Sequence, residues 1–176
     1  MIRSIYDAVE KMGFRSGNIL EPSMGVGNFF GMLPDAMQDS RLYGVELDSI
    51  TGRIAQKLYP QADITVAGFE TTDRRDFYDL AVGNVPFGNY KVADKAYNKL
   101  GFSIHNYFFA KAIDQVRPGG VVASSPAATP WTARTAPLAS TWQSVPICWV
   151  QSVCPTMRSV PTPARMLSAT HLFAEA

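Results

Sequence analysis

The stretch ILEPSMGVGNFF, residues 19–30, decides the fold of this 176-residue chain. Apolar residues end a predicted strand, and a turn with Gly25 and Gly27 follows it. Both glycines can adopt positive φ and let a ligand approach the backbone closely. A helix that starts after the turn would present free N–H groups to an anionic group such as a carboxylate. The simpler alternative is an ordinary strand-to-helix turn that needs two glycines.

The next predicted strand, LYGVEL at residues 42–47, ends among acidic residues. In dinucleotide sites, an acid at this place accepts hydrogen bonds from ribose hydroxyls. Glu46 is the first candidate for such a contact and Asp48 the second; otherwise Glu46 is a solvated strand end and Asp48 caps the following helix. The G-x-G-x-x-G spacing of dehydrogenases is absent, because Phe30 stands three residues after Gly27. The pattern therefore favours a nucleoside ligand other than NAD.

Strands and helices alternate up to residue 124, which predicts an α/β fold with a mostly parallel sheet and flanking helices. The predicted strands are NILEP, LYGVEL, ADITVA, FYDLAVGNV and VVAS, which start at residues 18, 42, 62, 77 and 121. Further helices are predicted from residues 2, 49 and 104, and RPGG at residues 117–120 predicts a turn before the last strand. Ligands of such sheets bind at the carboxyl ends of the strands.

The segment NVPFG, residues 84–88, follows the fourth strand. It resembles the Asn-Pro-Pro-aromatic motif of methyltransferases that act on amino groups conjugated to a planar ring, with Val85 in place of the first proline. The Asn84 side-chain oxygen and the Val85 carbonyl are expected to accept hydrogen bonds from the amine and stabilise its developing charge. Phe87, after Pro86, is expected to stack on a base flipped out of the duplex. The alternative is a turn ended by Pro86, with Phe87 in the core.

Residues 1–124 as a whole resemble the catalytic core of DNA adenine N-6 methyltransferases, as found in large helicase-methylase proteins of mobile elements. The supporting stretches are ILEPSMGVGNFFGMLP, LYGVELDSITGRIAQKLYP, VAGFE, NVPFGNY and FSIHNYFFAKAIDQVRPGG. The resemblance implies a Rossmann-like fold of SAM-dependent methyltransferases, incomplete on its C-terminal side. It also implies S-adenosyl-L-methionine (SAM) as cofactor, DNA with a flipped adenine as partner, and helicase domains in a longer parent protein.

The same resemblance assigns the cofactor-binding residues. The methionine part of SAM is expected on the glycine-rich turn, its ribose on the strand-end acids, and its adenine on an aromatic ring. The residues are Glu21, Pro22, Ser23, Gly25 and Gly27 for the turn, Glu46 and Asp48 for the ribose, and Phe69 for the adenine. Many relatives carry Asp directly before that Phe, where this chain has Gly68.

Three lysines lie between the motif and the last predicted helix. Lys91, Lys95 and Lys99 are interleaved with Tyr90 and Tyr97. Lysines contact phosphates and aromatic rings stack on bases, so this pattern predicts a phosphate-contacting loop near a flipped base. The alternative is a solvated loop without a ligand.

Residues 125–176 differ in character from the rest of the chain. Beyond Gly120 there is no Gly, Asp or Lys, Glu175 is the only acid, and all three Trp fall there. Neither a helical nor a strand period persists. Reading the codons in the alternative frame yields residues that resemble the family's, so we hypothesise a frameshift near Ser124 and an aberrant, disordered tail. We expect the chain to be a fragment, clipped at its N-terminus as well, and inactive by itself.

Bulk composition limits the remaining classes. A formal charge of +1 gives no overall basic surface, so nucleic-acid binding needs a local patch. The chain has neither a bilayer-length apolar run nor a signal pattern, which favours a cytoplasmic protein. The spacing of Cys148 and Cys154 does not suit zinc, and no metal site is expected. Two alternatives stay open: a methyltransferase for a protein glutamine or an RNA amine, and a non-catalytic module of the same fold attached to a helicase.

Overall fold

The computed structural model describes residues 1–86, 88, 90–125 and 147–149. Within this part of the chain, helices and strands alternate. The α-helices are α1 (Ile2–Lys11), α2 (Ser49–Leu58) and α3 (Ile104–Gln115). The strands are β1 (Asn18–Glu21), β2 (Arg41–Glu46), β3 (Asp63–Val66), β4 (Tyr78–Asn84), β5 (Val116–Ser125) and β6 (Ile147–Trp149).

The six strands form one sheet in the order β3-β2-β1-β4-β5-β6. Every neighbouring pair is parallel. From the centre of the sheet, β1, β2 and β3 follow one another toward one edge, and β4, β5 and β6 follow one another toward the other edge. The strand order therefore reverses between β1 and β4. This arrangement confirms the predicted α/β fold with a parallel sheet.

Helices cover both faces of the sheet. On one face, α1 places Ile5 and Val9 against Ile19 and Leu80 of the central strands. On the other face, the next residues along those strands, such as Leu20, pack with α3. The alternation follows from the two-residue period of a strand, and apolar residues on both faces are typical of a buried parallel sheet.

Local sequence signals explain the helix boundaries. The Asp48 carboxylate accepts hydrogen bonds from the N–H groups of Ile50 and Thr51, at 3.1 and 2.8 Å, and so caps α2 as predicted. The α2 helix ends two residues before Pro60, which cannot continue it. Ser103 caps α3 through a 3.4 Å bond from the Asn106 N–H, which confirms the predicted start of that helix.

Two local predictions are wrong. No α-helix follows the glycine-rich turn, because residues 28–40 form only short 3-10 turns at Phe30–Met32 and Asp35–Met37. Pro34 separates the two turns and favours an extended residue before it. The predicted turn at residues 117–120 is part of β5, where the pairing with β4 shifts register and Gly119 has φ 81°. This strand irregularity uses the conformational freedom of glycine.

The prediction of a disordered tail falls mostly outside the described residues. Of residues 126–176, the structure describes only Ile147–Trp149, which pair with β5. The hypotheses of a frameshift and of an aberrant tail therefore stay predictions.

Candidate functional site

The carboxyl ends of the strands bring predicted site residues to one edge of the sheet. β1 ends at Glu21, β2 at Glu46 and β4 at Asn84. Phe69 lies in a 3-10 turn, Phe69–Thr71, soon after β3. Because strand order reverses between β1 and β4, this edge holds the crevice in which open parallel sheets bind ligands.

An open cavity of about 200 Å³ lies at this edge. Its wall includes five of the residues predicted to bind the cofactor or to form the acceptor motif: Pro22, Ser23, Glu46, Phe69 and Pro86. The first four were predicted to bind a cofactor, and the fifth belongs to the acceptor motif. The structure therefore brings residues predicted to bind a cofactor and a residue of the predicted acceptor motif together in one cavity.

The other predicted residues lie around the cavity without lining it. They are Glu21, Gly25, Gly27, Asp48, Asn84 and Val85. Asn84 is exposed at the end of β4, and Asp48 is exposed at the start of α2. Glu21 and Val85 are buried. Phe87 is outside the described residues, so its predicted stacking role stays a prediction.

The Glu46 carboxylate fixes the glycine-rich loop to the end of β2. Its Oε2 accepts a hydrogen bond from the Gly25 N–H at 2.7 Å, and its Oε1 accepts one from the Asp48 N–H at 2.8 Å. Gly25 has φ 57° and Gly27 has φ 83°, the left-handed conformation that the sequence predicted for this turn. Each carboxylate oxygen retains a further lone pair. Glu46 can therefore bind a ligand in the cavity while it holds the loop.

Two tyrosines that the sequence analysis missed also hold this loop. Tyr6, from α1, donates a 2.9 Å hydrogen bond to the carbonyl of Phe29. Tyr59, after α2, donates a 2.8 Å bond to the carbonyl of Gly27, and its ring packs edge-on against Phe30 at 5.7 Å. A backbone carbonyl leaves no side-chain pattern in the sequence, so no signal marked these pairs. In place of a following helix, side chains keep the loop in shape.

Tyr59→Phe tests this clamp, because it removes the hydroxyl and keeps the ring. We expect the free energy of unfolding to fall by about 1 kcal/mol, the usual value of one hydrogen bond. We also expect faster amide exchange at residues 24–29, measured by hydrogen exchange with mass spectrometry. Tyr90→Phe is the matched control, since it removes a hydroxyl from a ring that is 53% exposed. Equal behaviour of the two variants would contradict a clamp at Tyr59.

Glu21 is buried under the glycine-rich loop. Burial raises the pKa of its carboxyl to about 9, a backbone hydrogen bond from Phe29 opposes the shift, and the charge of Glu46 adds to it. Its Oε2 has no hydrogen-bond partner among the described residues. At neutral pH the folded protein therefore holds Glu21 protonated, with an O–H group that can donate a hydrogen bond.

The raised pKa of Glu21 predicts a pH-dependent stability. Between its ordinary pKa of 4.5 and the folded value of about 9, the folded protein binds more protons than the unfolded chain. The free energy of unfolding should therefore fall as pH rises through this window. Glu21→Gln, which cannot ionise, should show a flatter profile in urea unfolding at pH 5, 7 and 9. Glu10→Gln is the control, because Glu10 forms a surface ion pair with Arg15, and its free energy of unfolding should depend on pH as in the wild type. A wild-type pH dependence in Glu21→Gln would refute the prediction.

A buried ion pair joins the segments on two sides of the cavity. Lys111 of α3 lies 2.8 Å from the Asp94 carboxylate and donates a 3.0 Å bond to the carbonyl of Glu70. Tyr107 donates a 2.9 Å bond to the same Asp94 oxygen. Burial alone would raise the pKa of Asp94, but the hydrogen bonds from Lys111 and Tyr107 lower it below its usual value. Sequence analysis missed this pair, since a lysine in a helix is usually exposed.

The aromatic residues of α3 support the predicted adenine contact from behind. Phe108 stacks on Phe69 with ring centroids 5.0 Å apart and an interplanar angle of 29°. Phe108 also lines the cavity. Tyr107, Phe108 and Phe109 of this helix belong to the core, because they are 2 to 8% exposed.

The fold is similar to that of a solved methyltransferase. A TehB-like SAM-dependent methyltransferase from Corynebacterium glutamicum aligns with 78% of this chain and 70% of its own, at a TM-score of 0.52 and 20% identity. The chain has the fold of a SAM-dependent methyltransferase. This agreement confirms the Rossmann-like fold class expected from the sequence.

Sequence comparison finds relatives of known name. The Defense against restriction protein B of Escherichia phage P1 is 33% identical over 122 residues, which are 66% of this chain and 5% of that protein. The type II methyltransferase M.CvrRI of Paramecium bursaria Chlorella virus XZ-6E is 36% identical over 87 residues, 48% of this chain and 23% of the viral protein. This methyltransferase-fold chain is thus homologous to a type II methyltransferase, and it spans less than a quarter of either relative. No protein-family model matches it.

Across the described ranges, no helix combines the length and the apolar character needed to cross a membrane. In the same ranges, no group of three or more His, Cys, Asp or Glu side chains is placed to hold a metal ion.

Proposed function

We propose that this chain is the catalytic core of a SAM-dependent methyltransferase that acts on the exocyclic N-6 amine of adenine in DNA. One observation carries the proposal: Glu46 and Phe69 share a cavity with Pro86 of the acceptor motif. Homology to a type II methyltransferase and to a protein of defence against restriction supports it. Because restriction and modification act on DNA, these names favour a DNA acceptor over a protein or RNA amine.

The residues at the cavity fit SAM. Glu46 presents carboxylate lone pairs at the wall, suited to ribose hydroxyls. Phe69, which is 3% exposed and stacked on Phe108, contributes to the apolar part of the wall. A β-carbon added at Gly25 would meet no atom within 4 Å, so the loop leaves room for the methionine part. The protonated carboxyl of Glu21 beneath it is a hydrogen-bond donor for that part. A side chain at residue 68 would collide with the Glu70 carboxylate, which therefore takes that space and offers an acceptor to the adenine amine.

SAM supplies a methyl group bonded to a positively charged sulfur, which makes the methyl carbon an electrophile. The protein must make the adenine amine nucleophilic, because its lone pair is delocalised into the ring. The Asn84 oxygen and the Val85 carbonyl accept hydrogen bonds from the amine and withdraw its lone pair from conjugation. Transfer would form the N–C bond as the S–C bond breaks, with the electron pair of the broken bond left on sulfur, and the methylated amine would release one proton to solvent water. No titrating general base is needed for this step.

Label transfer tests the acceptor. The chain is incubated with SAM that carries a tritiated methyl group and a single-stranded adenine-containing oligonucleotide, with the protein in large excess. Protein is in excess so that a single transfer per chain is detected, because a chain of formal charge +1 should capture DNA too weakly for multiple turnover. The expected result is label in N6-methyladenine after digestion of the oligonucleotide to nucleosides. Label in a glutamine-containing peptide or an RNA, and none in DNA adenine, would contradict the DNA proposal.

A further inference from the structure

The segment at residues 90–101, called here the lysine loop, borders the cavity that the proposed function assigns to SAM and its acceptor. We infer that the lysine loop binds the phosphates of single-stranded nucleic acid beside the acceptor base. This inference rests on the proposed DNA acceptor and adds the surface that holds it. Three observations support it: the charge that the loop presents, its attachment to the core, and its place at the cavity.

The folded loop presents more positive charge than its sequence indicates. By sequence it carries Lys91, Lys95 and Lys99 against one acid, Asp94. In the structure Asp94 is buried, 8% exposed, and pairs with Lys111 of α3, which is 4% exposed. All three loop lysines remain exposed. Since the one acid is neutralised inside the protein, the outward charge of the loop is carried by its lysines alone.

The three lysines have no ion-pair partner within the described residues. No neighbouring carboxylate of the described residues therefore competes with a phosphate for their ammonium groups. This local patch is what a chain of formal charge +1 needs to bind nucleic acid. Phosphate contacts of this kind position a nucleic acid without reading its sequence.

The lysine loop is attached to the core at several points. Besides the pair with Lys111, Tyr107 of α3 donates a 2.9 Å bond to the Asp94 carboxylate. Tyr97 is buried and donates a 2.5 Å bond to the Asp114 carboxylate of α3. The backbone that carries the three lysines is thus held against α3, so binding does not have to order it first.

The loop also reaches the cavity directly. Tyr90 and Val92 line the same wall as Pro86 and Phe69. Tyr90 is 53% exposed, so an unpaired base can stack on its ring while neighbouring phosphates contact the lysines. Cations and an exposed aromatic ring beside the acceptor motif are the two components of a single-strand binding surface.

The test is the salt dependence of binding to a fluorescein-labelled 20-nucleotide single strand, measured by anisotropy from low to moderate KCl. In the triple variant Lys91→Gln, Lys95→Gln and Lys99→Gln, we expect the slope of log K against log salt to shrink by about 2, since each phosphate contact contributes about 0.7. The matched control is Arg3→Gln, Lys11→Gln and Lys57→Gln, which removes the same charge from other exposed positions. The control should keep nearly the wild-type slope.

Equal slopes in the two triple variants would overturn the inference, and so would absence of binding by the wild-type chain. Competition by polyglutamate of equal charge as effectively as by DNA would also overturn it, because the surface would then be a general polyanion site. Calorimetry with S-adenosylhomocysteine (SAH), the demethylated form of SAM, is run on the same samples. Absence of SAH binding by the wild type would refute the proposed function. Normal SAH binding, together with the same salt slope in the wild type and the lysine-loop variant, would refute only the inference about the lysine loop.

Discussion

Asn84→Ala is expected to reduce methyl transfer to adenine by at least about 100-fold and to leave SAH binding unchanged. A 100-fold loss of rate is typical when one preorganised hydrogen-bonding group that stabilises developing charge in the transition state is removed. Asn84 stands exposed at the end of β4, and Pro86 two residues later lines the cavity. The exposed Asn84 side chain is not part of the core, so its loss should not unfold the protein.

The measurement is single-turnover label transfer with protein in excess, together with SAH calorimetry on each variant. Asn84→Asp keeps an acceptor oxygen and should retain part of the activity, whereas Asn84→Ala should not. The control Asn106→Ala changes an asparagine at the start of α3 and should transfer at the wild-type rate. Transfer by Asn84→Ala at the wild-type rate would show that the amine is activated elsewhere.

Glu46→Ala is expected to weaken SAH binding by about 100-fold or more. A carboxylate that accepts bonds from two ribose hydroxyls is worth about 1.5 to 3 kcal/mol for each bond. The variant also frees the Gly25 N–H that Glu46 holds at 2.7 Å, which loosens the glycine-rich loop. Affinity should therefore fall through both the lost contact and the lost shape of the loop.

Asp48→Ala separates Glu46 from the second acid that the sequence nominated. Asp48 is exposed and its carboxylate is occupied by the first turn of α2. Its removal should cost about 1 kcal/mol of stability, as for other helix caps, and should change SAH affinity by no more than about twofold. The opposite ranking of the two variants would reassign the ribose contact to Asp48.

Much of the fold could be predicted because its signals are local. The Asp48 and Ser103 caps, the apolar face of α1 and the alternation of strands all act between residues close in sequence. The same locality explains the successful placement of Glu46 and Asn84, which follow directly from where a strand ends. The expectation for Phe69 came from the resemblance alone, and the structure places this residue in the 3-10 turn after β3.

What the sequence did not reveal depends on distant partners. Tyr59 reaches a carbonyl 32 residues away, and Lys111 pairs with Asp94 across 17 residues while both are buried. A buried lysine contradicts the usual preference of the residue, so only its partner explains it. The missing helix after Gly27 has a similar cause, since side chains from α1 and α2 hold that loop without one.

Calorimetric titration of the chain with SAH tests the central claim most directly. Methyl transfer requires a site that binds SAM and its product SAH, whatever the acceptor is. The account predicts saturable heat with one site per chain, lost in Glu46→Ala and retained in Asn84→Ala and Asp48→Ala. A chain that folds but gives no saturable heat with SAH or SAM would contradict the account and identify a non-catalytic module of the methyltransferase fold.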